Sequence, residues 1–121
     1  MKTQGSTSVF RVENLEASLR HYREILGFEE VFRFEHYAGL KLGEVTLHLT
    51  DHSIYPRPIG GGAVYIYCDE VDSYHEQIAR NGAEVKATPE NRPYGMRDFT
   101  VMDPDGNLVH FGCEVHPSQP E

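Results

Sequence analysis

A chain of 121 residues, 39% of them hydrophobic, makes one domain of ordinary size that buries about two-thirds of its unfolded surface. A formal charge of −8 argues against nucleic acid or an anionic membrane as partner and favours a cationic ligand. No apolar run approaches the length of a membrane span, and the start, Met1-Lys-Thr-Gln-Gly-Ser-Thr7, lacks the apolar stretch of a signal peptide, so a cytoplasmic location is expected.

Residues 9–12 read as a first strand, with Phe10 and Val12 on one face and Val9 and Arg11 on the other. Asn14 is placed to cap a helix whose apolar stripe is Leu15, Leu19, Tyr22 and Leu26, and Gly27 suits its left-handed end. The period then changes to two over residues 31–34, 38–42 and 45–50, three antiparallel strands. In the last of them Val45, Leu47 and Leu49 form the core side and His48 points away from the helix. Residues 51–62, with Pro56, Pro58 and three glycines, read as a loop.

After that loop the order returns at a spacing of about 55 residues, the signature of an internal duplication. A strand at 63–68 is followed by Asp69 as cap and by a helix with Val71, Tyr74 and Ile78 inward, ending at Asn81-Gly82. A short strand near 83–87, a proline-rich loop at 88–93 and a hairpin at 94–111 complete the second half. Asp103-Pro104-Asp105-Gly106 has the chemistry of a tight turn, because proline presets one backbone angle, aspartate bonds to local amides and glycine accepts a positive φ. Phe99 and Val101 are its core side, and Asp98 and Thr100 lie opposite. Cys68 and Cys113 alternate toward the core and are expected to be buried, reduced thiols. The tail from His116 is expected to fray. The fold class expected is α+β, two βαβββ modules (about 7–55 and 63–115) in a single domain spanning 1–121.

Tyr94-Gly95, Phe99, Asp103-Pro104, Gly106-Asn107 and Val109-His110-Phe111 fall in register with the hairpin Trp-Gly-x-x-x-Phe-x-x-x-Asp-Pro-x-Gly-Asn-x-Val-His-Phe. With Tyr37-Ala-Gly39, Val45-Thr-Leu47, Tyr65-Ile-Tyr67 and the duplication, the chain resembles the vicinal oxygen chelate superfamily of glyoxalases, extradiol dioxygenases and bleomycin-resistance proteins. The bleomycin-resistance proteins are the nearest of these, although tryptophan is absent here. The resemblance implies curled mixed sheets with helices on the convex face, and a homodimer in which each cup combines one module from either chain. It also implies metal-ligand positions at Thr7, His48, Ala63 and His110. That set is incomplete, since catalytic zinc and two-histidine iron sites need three protein ligands.

Candidate ligand-binding residues on the concave face are Phe32, Tyr37, His48, Tyr65, Tyr67, Tyr94, Asp98 and His110. The aromatic rings could stack a planar heteroaromatic ligand or merely pack a dimer cleft. His48 and His110 are expected to face one another across the cup, within reach of a polar ligand, and Asp98 to pair with a cationic group or stand solvated. The sequence shows no Ser-His-Asp set or phosphate loop, and Gly60-Gly-Gly62 follows no strand that could feed one. The expected function is therefore non-catalytic: a small-molecule binding protein that sequesters a bleomycin-type or similar cationic heteroaromatic antibiotic, without cofactor. The alternative is a metal-dependent lyase, dioxygenase or thiol transferase whose divalent metal rests on His48 and His110, with a third ligand from Glu44, Glu114 or a partner chain.

Overall fold

The computed structural model describes residues 1–52 and 56–115. The tail expected to fray and the middle of the loop at 51–62 lie outside the described residues. The elements are β1 (Ser8–Arg11), α1 (Leu15–Glu24), β2 (Glu29–Phe34), β3 (Tyr37–Leu42), β4 (Val45–Thr50), β5 (Ala63–Tyr67), α2 (Val71–Arg80), β6 (Glu84–Asn91), β7 (Met96–Met102) and β8 (Leu108–Glu114). Each half is βαβββ. Two four-stranded mixed sheets result, ordered β1-β4-β3-β2 and β5-β8-β7-β6, with β1–β4 and β5–β8 parallel and the remaining pairs antiparallel.

Alternation decides which face of each sheet meets its helix. Phe10, Leu47, Leu49, Ala38 and Leu40 are buried with Leu15, Leu19 and Tyr22 of α1, and Ile66, Phe99, Val101, Val109 and Phe111 are buried with Val71 and Ile78 of α2. The other face of each sheet is left open, and it carries every candidate site residue except Tyr94, which lies in the turn between β6 and β7. Asn14 accepts the Ala17 amide at 2.9 Å, the expected cap of α1, and Gly27 has φ +83° just beyond it.

The second helix departs from expectation at its start. Glu70, not Asp69, is the capping residue; it lies in the left-handed region (φ 49°, ψ 42°) and its side chain makes no cap hydrogen bond. The chain leaves β5 with the Cys68 amide still bonded to the Gly112 carbonyl at 2.9 Å, so the reversal into α2 falls on the residue just before it. Strand β6 also runs further than expected, through Pro89 to Asn91. It is a sheet edge, and its register with β7 slips between Val85 and Ala87 and again between Ala87 and Glu90, which accommodates a residue that cannot donate to a ladder. Cys68 and Cys113 are free thiols, but half-buried rather than buried, because both lie at the ends of their strands.

The Asp103–Gly106 turn is a structural hub. Gly106 (φ +102°) donates its amide to the Asp103 carbonyl at 3.1 Å. The Asp103 carboxylate, 1% exposed, accepts the amides of Asp105 and Asn107, the Asn107 side-chain amide and the Tyr22 hydroxyl, all at 2.9 to 3.0 Å. Burial first, then Asp103, push the Tyr22 hydroxyl far above its ordinary pKa, so it stays a donor. Asp105 reaches the Glu13 amide and the Ser18 hydroxyl, each at 3.2 Å, and Asn107 accepts the Gly62 amide at 2.8 Å. Through these bonds a turn of the second module fastens the first.

Candidate functional site

On the open face of the first sheet, β2, β3 and β4 bring Phe32, Tyr37 and His48 together. Phe32 pairs with Gly39 across the sheet, and a side chain at Gly39 would collide with its ring, so the glycine lets the ring lie across β3. Phe32 stacks on Tyr37 (6.2 Å, 12°) and meets His48 edge-on (5.2 Å, 84°), while the Tyr37 hydroxyl and His48 Nδ1 are hydrogen-bonded at 2.8 Å. Burial lowers the pKa of His48, which keeps the ring neutral near pH 7. Phe34, 75% exposed on the same strand as Phe32, extends this apolar surface and was not among the expected residues.

The second sheet holds the denser cluster. Tyr65 stacks on His110 (5.9 Å, 21°), its register partner across β5–β8, and leans on Tyr67 at 5.2 Å. Its hydroxyl passes over Gly112 to donate to Asp98 Oδ2 at 2.9 Å. Tyr94 donates to the same oxygen, and Arg92 Nε donates to Oδ1 at 2.8 Å. Arg92 is itself held by the carbonyls of Thr88 (2.9 Å) and Asp98 (3.1 Å). His110 Nδ1 is bonded to the Thr100 hydroxyl at 2.7 Å. Burial opposes the charge on Asp98, but the hydrogen bonds from Tyr94, Arg92 and Tyr65 outweigh it and hold the carboxyl below its usual range. Burial and the bond to Asp98 push the Tyr65 hydroxyl up. These groups line a cleft of about 550 Å³ with Ala87 and Thr100, within the range of about 300–1,000 Å³ usual for small-molecule sites.

Two expectations change. The carboxylate of Asp98 sits on the open face, yet its two oxygens already accept three donors, one of them the Arg92 guanidinium. Within one chain His48 and His110 lie in separate clusters, each on the second strand of its own sheet. Among the described residues no hydrogen bond or aromatic contact joins the two clusters. Tyr67, 76% exposed, leans on Tyr65 but borders a crevice between the modules instead of the cleft. Arg92 and Thr100 belong to the site and were not expected there.

The metal positions of the superfamily do not fit a metal here. Ala63 offers no donor atom, the Thr7 hydroxyl is bonded to Thr46, and the two histidines fall in separate clusters. Among the described residues no three histidine, cysteine or acidic side chains converge.

The fold agrees with comparison to known proteins. The family model described as the Glyoxalase/Bleomycin resistance protein/Dioxygenase superfamily matches residues 6–111, and the chain belongs to that superfamily. Among solved structures, it is similar to the bleomycin-binding protein of bleomycin-producing Streptomyces verticillus complexed with copper(II)-bleomycin, at 30% identity over 92% of this chain and 96% of that one, with a TM-score of 0.75. A glyoxalase/bleomycin resistance protein/dioxygenase from Nocardioides (20% identity, 100% and 91% of the two chains, TM-score 0.75) shares the fold. So does a virulence protein from Salmonella typhimurium (21% identity, 95% and 99%, TM-score 0.75). No curated protein matches the chain.

Proposed function

We propose that this protein is a non-catalytic binding protein of the bleomycin-resistance type, which sequesters a planar, cationic heteroaromatic ligand such as a bleomycin-class antibiotic. The observation that carries the reading is the Tyr65–Tyr94–Asp98–Arg92 network. Its carboxylate already accepts three donors, one of them the Arg92 guanidinium, and these hydrogen bonds hold it ionised below the usual carboxylate range, which suits an electrostatic anchor better than a proton-transfer group. What the network does offer is two phenol rings made electron-rich by donating to a carboxylate, each hydroxyl oxygen keeping lone pairs for a ligand donor. A net charge of −8 adds long-range attraction for a cation. The 30% identical bleomycin-binding protein supports the ligand class.

The working unit in this reading is a homodimer. Phe32, Phe34, Tyr67 and Tyr94 are large rings left exposed on the open sides of the two sheets, and a second chain would cover them. Setting the first module of one chain against the second module of its partner would close each cleft with both clusters, and a two-fold pair would carry two equal clefts. A cytoplasmic location fits such a role, and no helix among the described residues is long and apolar enough to cross a membrane. The test is protection: bacterial cells expressing the chain should survive bleomycin that kills the control, and cells expressing Tyr65→Ala should not. Equal killing with and without the wild-type chain, at verified expression, rules the role out.

A further inference from the structure

The two junctions between the modules are built alike and filled differently. Where β1 runs into α1, the five-residue β7–β8 turn, Asp103 to Asn107, packs into the junction and ties down Glu13, Ser18 and Tyr22. Where β5 runs into α2, the facing turn is that between β3 and β4, only Gly43 and Glu44 long. It does not reach as far, and the second junction retains a crevice of about 520 Å³ between this turn and the start of α2.

The crevice has an apolar interior and an acidic rim. Leu42, Val45, Ile66 and Phe111 supply aliphatic and aromatic surface, with the ring of Tyr74 beside Phe111 at 4.9 Å. Glu44, Asp69 and Glu70 stand around it, and no lysine or arginine lines it. Among the described residues none of these three carboxylates is in an ion pair, although Glu30, Asp72, Glu90 and Asp98 all are. Glu70 is also the left-handed residue that makes no cap hydrogen bond, so its carboxylate is not used in starting the helix. A cavity of this size, apolar within and bordered by three unpaired negative charges, selects for an apolar body that carries one positive charge. An anion of the same shape would meet three like charges.

We propose that this crevice is a second binding site, for a small organic amine whose ring or chain lies against Leu42, Val45 and Ile66 and whose ammonium meets Glu44, Asp69 and Glu70. It has no lining residue in common with the cleft of Tyr65, Arg92 and Asp98, so a ligand here is distinguishable from one there.

The test uses phenethylamine, 2-phenylethanol and 3-phenylpropionate as probes of nearly one shape and three charges, titrated into the full chain while amide NMR shifts are followed. Phenethylamine should shift the amides of Glu44, Val45, Asp69, Glu70 and Gln77 saturably and leave those of Arg92, Asp98 and His110 in place. The alcohol should bind about tenfold more weakly, the worth of three partly screened ion pairs, and the acid should cause no saturable shift. Glu44→Gln with Glu70→Gln should weaken the amine about fivefold and leave the alcohol unchanged, which also shows the crevice intact. Should the double variant fail to fold, Glu44→Gln alone is read against the same alcohol control. Equal affinity for amine and alcohol, shifts confined to the Tyr65 cleft, or no saturable shift with any probe overturns the proposal. Because the chain has no tryptophan, Gln77→Trp supplies a single tryptophan at the crevice, whose emission, excited to the red of tyrosine absorption, should respond to phenethylamine with the same midpoint; a silent tryptophan or a different midpoint counts against the site.

Discussion

The hydroxyl of Tyr65 on β5 donates to Asp98 on β7 at 2.9 Å, crossing the whole width of the intervening strand β8. The crossing is open because residue 112 has no side chain: a Cβ there would run into the Tyr65 hydroxyl and the Asp98 Cβ. Gly112→Ala is therefore expected to displace Tyr65 and break the bond, at a stability cost of about 1–3 kcal/mol in urea denaturation. Binding to the cleft should weaken with it. Unchanged stability would show that the tyrosine has room to step aside.

Asp98 is nearly buried and accepts three donors, so removing it leaves the Arg92 guanidinium and two hydroxyls without their acceptor. Asp98→Ala should cost about 3 kcal/mol. The pH dependence follows from the direction of its shift. A carboxyl whose folded pKa lies below its unfolded value of about 3.9 gives stability that is present above that value and lost as pH falls through the folded pKa. Urea midpoints measured from pH 6 downward should thus fall more steeply for the wild type than for Asp98→Ala.

How much of this was legible in the sequence depends on the scale asked about. Alternation around Phe99, Val101, Val109 and Phe111 was enough to orient the second sheet, and with it the face that carries Asp98 and His110, because a half-buried strand has only two faces. Alternation says nothing of what a side chain meets on its face, which is why Asp98 could be read as a free partner for a cation. Arg92 escaped notice because it lies just past β6, in a stretch that Pro89 and Pro93 made read as a loop, and nothing in that stretch signals that its side chain folds back on Asp98. Whether His48 meets His110 is a matter of how two sheets sit in space, within a chain or across two, which periodicity along a strand does not encode. The unequal β3–β4 and β7–β8 turns were visible as lengths, but the crevice they leave needed the packing of α2.

His48 offers a second pH dependence. Burial lowers its pKa, so the unfolded chain binds its proton more readily, and the neutral ring contributes stability above the ordinary histidine value of about 6.5 that is lost as pH falls through the folded pKa. Its NMR titration should have a midpoint below that of an exposed histidine. A cationic ligand held near His48 should also bind more weakly at pH 5 than at pH 7.5, and His48→Gln should remove part of the difference in calorimetry.

Asp103 joins the modules, and its loss should be felt as stability rather than as ligand affinity. Asp103→Ala strands the Tyr22 hydroxyl, two backbone amides and the Asn107 side chain, and should cost about 3–5 kcal/mol. Tyr22→Phe, which removes one of those donors and leaves the aspartate otherwise satisfied, should cost about 1–2 kcal/mol. Chemical denaturation of the two variants gives both numbers.

The central claim, that the open-face cleft holds a cationic heteroaromatic ligand without transforming it, is met most directly by calorimetric titration of the chain with metal-free bleomycin, followed by mass spectrometry of the recovered ligand. The account predicts saturable heat at one ligand per chain, an affinity at least about tenfold lower for Tyr65→Ala, and bleomycin of unchanged mass. Absence of heat, heat indifferent to Tyr65→Ala, or a chemically altered bleomycin would contradict it.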